Sequence, residues 1–164
     1  MRLSTADTSM PKKNLDKVLS LIKDNHPEIQ LVSKPYIFSW SPTNSTISYD
    51  PREENSPQLI LHELGHALKR HSNYTTDISL LKMEREAWTE AEQMAESLHI
   101  ELDDELTESS LDSYRDWIHQ KSTCPTCSAT GFQKSQNLYS CPVCTRSWQV
   151  NDGILCRIYR KKLN

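Results

Sequence analysis

Apolar residues at Leu15, Val18, Leu19 and Ile22 recur every three or four positions among polar ones, which predicts a helix over residues 11–25 that His26-Pro27 then stops. The period then changes. Tyr36-Ile37-Phe38-Ser39-Trp40 and Thr46-Ile47-Ser48-Tyr49 are β-branched and aromatic and flank the turn-forming Ser41-Pro42-Thr43-Asn44, so two strands and a turn are expected between residues 29 and 49. After Asp50-Pro51, Ser56 is placed to cap a helix with Pro57 at its first position, running to about residue 71. A longer amphipathic helix follows over about residues 78–98, with the stripe Leu80, Leu81, Ala87, Trp88, Ala91, Met94, Ala95 and Leu98. Acidic residues dominate 101–108, and residues 111–119 predict a short helix. Gly131-Phe132, Leu138-Tyr139 and Arg146-Ser147-Trp148-Gln149-Val150 read as short strands among paired cysteines. The pattern is α+β in two modules, residues 1–120 and 121–164, without internal repeat or low-complexity tract.

A chain of 164 residues suits one domain and a small module. With 36% hydrophobic residues and no apolar run near the roughly 20 that cross a bilayer, no membrane span is expected. The start, Met1-Arg2-Leu3-Ser4-Thr5-Ala6-Asp7, lacks the apolar core of a signal peptide, so the expected location is cytoplasmic. The net charge of -3 gives no overall nucleic-acid signature. The tail over residues 157–162 has Arg or Lys at four of six positions and reads as a solvated end.

The first of the long helices carries His62-Glu63-Leu64-Gly65-His66. Residues i and i+4 project from one helix face, so the two imidazoles can grip one metal ion, and Glu63 between them is placed to take a proton from water, as in HExxH zinc peptidases. Gly65 leaves room for a second element to approach. Catalytic zinc takes three protein ligands, so a third must come from elsewhere. His71 lies one residue short of the third histidine in the extended HExxHxxGxxH pattern, and Lys69 fills its glycine slot, so His71 is rejected as a ligand. On the next helix Glu84 falls within the apolar stripe, four before Trp88, whereas Glu86 and Glu90 lie on the opposite face with Gln93 and Ser97. A carboxylate aimed at the apolar side needs a partner or a metal, which favours Glu84 as third ligand, with Glu86 the alternative.

Cys124-Pro125-Thr126-Cys127 and Cys141-Pro142-Val143-Cys144 form two CPxC knuckles 13 residues apart, the spacing of a structural four-cysteine zinc ribbon. Thiolate ligation suits a reducing compartment. Phe132, Tyr139 and Trp148 are expected in its packing rather than on nucleic-acid bases. Cys156 lies in the strand-like run Ile154-Leu155-Cys156-Arg157-Ile158. It reads as a small buried hydrophobe, or, more sharply, as an inhibitory thiolate that fills the open position of the catalytic zinc.

HELGH followed by Glu84-Arg85-Glu86-Ala87 on a second helix, with Ala67-Leu68-Lys69-Arg70-His71 between them, resembles the ImmA/IrrE family of metallopeptidases over roughly residues 30–100. The resemblance implies a zincin-like fold, a catalytic zinc on His62, His66 and a helix-borne glutamate, Glu63 as general base, and a helix-turn-helix repressor as substrate in DNA-damage or mobile-element regulation. Single-stranded DNA is the signal to test. The chain departs from the family at Trp88, where many members have Asp or Asn, so any polar contact from that position to a ligand must come from elsewhere or be absent. Tyr114 and His119, with Tyr74 and Arg115, are candidate donors to the oxyanion formed on peptide attack. Two Zn²⁺ are expected, one catalytic and one structural. Rival readings are a SprT-like protease acting on DNA-bound proteins, which takes a third histidine, and a non-catalytic module whose ribbon binds DNA or a partner.

Overall fold

The computed structural model describes residues 9–151, 153 and 156–163. In chain order these form α1 (Ser9–Asn25), β1 (Gln30–Ser33), β2 (Ser39–Ser41), β3 (Thr46–Tyr49), α2 (Ser56–Leu68), α3 (Asp77–Leu98), α4 (Asp104–Ser122), β4 (Phe132–Ser135), β5 (Leu138–Ser140), β6 (Ser147–Val150) and β7 (Arg160–Leu163). The architecture is α+β, with four helices and two sheets among the described residues. Two compact units share it: residues 1–72 with 86–103, and residues 73–85 with 104–164, so α3 contributes to both. No helix is long and apolar enough to cross a membrane.

The first unit packs α1, α2 and the later turns of α3 with a three-stranded sheet of order β1-β3-β2. β3 pairs antiparallel with β2 through the expected turn and parallel with β1 on its other side. The expected pair of strands is thus three. Gln30-Leu31-Val32-Ser33 sets its two apolar residues side by side without alternation, and its partner lies across β2, so local pattern did not mark it. Val18, Ile22, Ile47, Ile60, Leu61, Leu64, Ala87, Trp88 and Ala91 are buried. Gln58 clamps the chain after α3, its amide donating to the Asp103 carbonyl at 2.9 Å and accepting from the Asp103 N–H at 2.8 Å. Asp50 ties the loop before β2 to the turn that follows β3. The Arg52 guanidinium bonded to it, then the Tyr36 N–H, hold its carboxyl well below the usual carboxylate range.

α2 begins one residue earlier than expected: Ser56 is a fully buried helical residue, Asn55 takes the N-cap position, and neither supplies a side-chain cap. Pro57 remains within the first two positions, where its missing N–H costs nothing. The helix stops at Leu68 because Arg70 adopts a left-handed conformation (φ 55°). The His71 N–H then donates back to the His66 carbonyl and the Arg70 N–H to that of Ala67, a Schellman closure built without glycine.

In the second unit, α4 spans 19 residues where a short helix over 111–119 was expected. Its extension is the acidic stretch: Asp104 and Glu105 sit in its first turn, and His119 and Lys121 in its last, each favoured by the helix dipole. β4 to β7 form an antiparallel sheet in sequential order. The basic tail is not a loose end, because Arg160–Leu163 pairs with β6 as the edge strand, where lysines are common and backbone pairing outweighs the lack of apolar alternation. Of the strand expected around Cys156, Ile154 and Leu155 lie outside the described residues, and residues 156–159 are not in a strand. Tyr139 and Trp148 stack with ring centroids 5.8 Å apart in a small core with Cys124, Cys141 and Val150, while Phe132 is 53% exposed. Lys121 is buried beneath them. Its ammonium donates to Asp77 at 2.8 Å and lies 4.0 Å from the Trp117 ring, while its carbonyl accepts from the Trp148 indole N–H. The Tyr139 hydroxyl donates to the other Asp77 oxygen, and burial together with that carboxylate raises the phenol pKa well above its usual range.

Gly65 is where α2 meets α3. A Cβ at this position would lie 2.4 Å from the Ala87 carbonyl oxygen and 2.9 Å from its Cα, both backbone atoms of a helix that cannot yield locally. Gly65→Ala is expected to lower unfolding free energy by about 1–3 kcal/mol, as overpacking of a filled core does; urea denaturation of the two chains checks this.

Candidate metal centres

Two groups of side chains converge with metal-ligand chemistry. In the first, ligand atoms of His62, His66 and Glu84 all lie within 4.8 Å of one another. α2 presents both imidazoles from one face, and the Nε2 atoms of His62 and His66 are 3.1 Å apart. Two nitrogens on one tetrahedral zinc, each at about 2.0–2.1 Å, stand about 3.3 Å apart, so the observed pair fits a shared ion. His62 and Glu84 are 7% and 6% exposed. A carboxylate buried this far among imidazoles is suited to a cation. The stripe position of Glu84 on α3 brings it to the group, as its phase on the helix anticipated. Glu86 does not join it.

Glu86 instead faces His71, Oε2 to Nε2 at 3.2 Å, and His71 Nδ1 lies 2.9 Å from His66 Nδ1. The Schellman closure brings this about, since it returns His71, three residues beyond the helix end, to the side of His66. His71 lies outside the group of His62, His66 and Glu84 but touches His66, a contact the sequence reading missed. The signal was present: a histidine five after His66, beyond a turn of Lys69-Arg70. Trp88 stacks on His62, the indole and imidazole centroids 4.2 Å apart and their planes at 30°. Its Nε1–H is buried without a hydrogen-bond partner among the described residues.

Glu63 is half-buried on α2, between the two histidines. On α4, Tyr114 is half-buried, His119 is exposed, and Arg115 is exposed and bonded to Asp112 at 2.6 Å and Glu108 at 3.0 Å. Tyr74, half-buried, precedes α3. Cys156 belongs to neither group. It is exposed, with the Asn151 amide nitrogen 3.2 Å from its sulfur, so it is not the small buried hydrophobe expected.

The second group is Cys124, Cys127, Cys141 and Cys144, again within 4.8 Å. Cys124 and Cys144 sulfurs are 3.6 Å apart, and Cys127 and Cys141 sulfurs 3.5 Å. Zinc–sulfur bonds of about 2.3 Å put tetrahedral thiolates about 3.8 Å apart, close to these values. The knuckles are near copies. In each, the first cysteine's carbonyl accepts from the residue after the second cysteine, Ser128 or Thr145, and that residue has φ 60°. The Cys124 sulfur accepts from the Thr126 N–H and the Cys141 sulfur from the Val143 N–H, both at 3.4 Å. Burial would raise the Cys124 thiol, but the N–H groups of Cys127 and Thr126 and the neighbouring thiols bring it down to about 6, while Cys127, lowered by the Ala129 N–H, is pushed up to about 12 by Cys141, burial and the other two thiols, so the crowded sulfurs hold their protons unequally.

No protein family, curated protein or solved structure matches this chain.

Elemental analysis of zinc-reconstituted protein is expected to give two ions per chain. His62→Ala and Cys124→Ser should each remove one, and only the latter should expose the Trp148 core, read by tryptophan fluorescence.

Proposed function

We propose that the chain is a zinc-dependent endopeptidase of zincin-like design. The convergence of His62, His66 and Glu84 on one point, with Glu63 on the same helix, carries this reading. His62, His66 and Glu84 would hold the ion. When bound there, zinc supplies Lewis acidity, polarising the scissile carbonyl and acidifying water. Glu63 takes a proton from the attacking water and returns it to the leaving amine, so the carboxylate ends as it began. β2 is an edge of its sheet and precedes the metal helix, which suits addition of an extended peptide as a further strand. Glutamate rather than a third histidine in the group favours an ImmA/IrrE-like enzyme over a SprT-like one. By that resemblance the substrate is a helix-turn-helix repressor and the setting is the cytoplasm. Glu63→Gln should lower the cleavage rate of such a repressor by about 10²–10⁴-fold, the usual contribution of a general base, while both zinc ions stay bound. Undiminished cleavage by this variant would remove Glu63 from the mechanism.

A charge asymmetry favours a second property, binding of single-stranded nucleic acid by the ribbon. Residues 121–164 carry seven Lys or Arg and one Asp or Glu, leaving twelve and twenty-one for residues 1–120. Lys134, Arg146, Arg157, Arg160, Lys161 and Lys162 are all exposed, as are Phe132 and Tyr159, the latter at 66%. Cations interleaved with open aromatic faces suit phosphates and unstacked bases. A Lys161→Glu, Lys162→Glu chain should bind a labelled single-stranded oligonucleotide at least about tenfold more weakly at low salt; fluorescence anisotropy checks it, and equal binding would leave the lysines to edge protection alone.

A further inference from the structure

We propose that His71 and Glu86 are positioning residues that hold the His66 imidazole in one tautomer and one orientation for a metal ion. The inference rests on His62, His66 and Glu84 being a metal centre, and not on the reaction performed there.

His66 turns Nε2 toward His62 Nε2 and Nδ1 toward His71 Nδ1. A neutral imidazole that offers its Nε2 lone pair to a metal carries its proton on Nδ1. At 2.9 Å from His71 Nδ1 that N–H donates, so His71 Nδ1 accepts. A neutral His71 then carries its own proton on Nε2, and Nε2 lies 3.2 Å from Glu86 Oε2. Every donor in the series meets an acceptor. The opposite tautomer of His71 would set two N–H groups against each other across 2.9 Å.

The backbone makes the arrangement rigid. His71 is 9% exposed, its N–H is bonded to the His66 carbonyl, and the left-handed Arg70 turns the chain back to permit this. Main chain and side chain of one residue therefore both grip His66. The negative end of the series at Glu86 makes His71 a better acceptor and, through it, His66 a stronger ligand. Glu84 and Glu86 divide the work, the first facing the metal and the second the ring behind a ligand. Histidine ligands ordinarily bond directly to a carboxylate or carbonyl. Here a second imidazole extends the reach.

The test is the zinc dissociation constant of this centre in the full chain, measured by competition with a fluorescent chelator while the four-cysteine site stays loaded. His71→Leu removes the acceptor and should weaken zinc binding about 10- to 100-fold, the usual cost of losing such a partner. His71→Asn places an amide oxygen near the lost Nδ1 and should recover most of that loss. Glu86→Leu should weaken binding less than His71→Leu, because Glu86 is 40% exposed and water can replace it. Imidazole ¹H–¹⁵N correlation spectra of the loaded chain should place protons on His66 Nδ1 and His71 Nε2. Wild-type affinity in His71→Leu, equal losses in His71→Leu and His71→Asn, or the reverse tautomers would each overturn the proposal. If His71→Leu does not fold, His71→Asn, Glu86→Leu and the tautomer assignment still decide. A wild-type chain that takes up only one zinc would overturn the metal centre and the positioning role together; two bound zinc ions with indifferent variants would overturn the positioning role alone.

Discussion

The absence of a side chain at Gly65 is the constraint on which the first metal group depends. It lets the α3 backbone at Ala87 lie directly against α2, and the flanking residues of α3 fall into place around that contact. Trp88, one residue on, meets the ring of His62. Glu86, one residue before, meets His71, and Glu84 joins the two histidines. A helix pair held apart by one methyl group would shift all of these together, because all are borne on the same rigid element. The bulky residues of the interface do not set its spacing; the small ones do.

The ribbon is held by different physics. Its apolar core has few members, and the group beneath it is ionic: a buried aspartate that accepts from both a buried lysine and a tyrosine hydroxyl. Burying such a pair costs several kcal/mol per ion before any attraction returns it, so it is weak support for stability by itself. It does specify where the last turn of α4 must sit, since the Lys121 carbonyl also receives the Trp148 indole. Backbone N–H to sulfur bonds shape both cysteine knuckles. The left-handed Ser128 and Thr145 show how closely the knuckles wrap, since neither residue relieves the strain as glycine would.

The two centres also differ in what surrounds their ligands. The cysteine sulfurs are met by backbone donors, which need no particular side chain. His62 is met by an indole on α3 and His66 by an imidazole beyond the end of α2, which in turn meets a carboxylate on α3. Such a surrounding restricts how the imidazole rings can turn, whereas backbone donors leave the cysteine side chains to be placed by the knuckle itself.

Local rules explain what was legible in advance. The i, i+4 histidines, the CPxC spacing and the helical phase of Glu84 involve residues whose relation is set by one element or one short turn, so the sequence by itself determined which side chains form the two groups and the α+β pattern around them. Element ends were less legible where local signals were mixed: an acidic run proved to be the first turn of α4, favoured by the dipole, and a basic tail proved to be an edge strand, favoured by backbone pairing. Parallel pairing of β1 with β3 has no local signature. Only the tertiary structure decided which groups stand behind the ligands. A stripe residue such as Trp88 reads as core until a histidine is found against it, and Glu86 reads as solvated until the chain beyond α2 folds back. Contacts of that kind depend on the distance between two helices, which one missing side chain sets and no periodicity records.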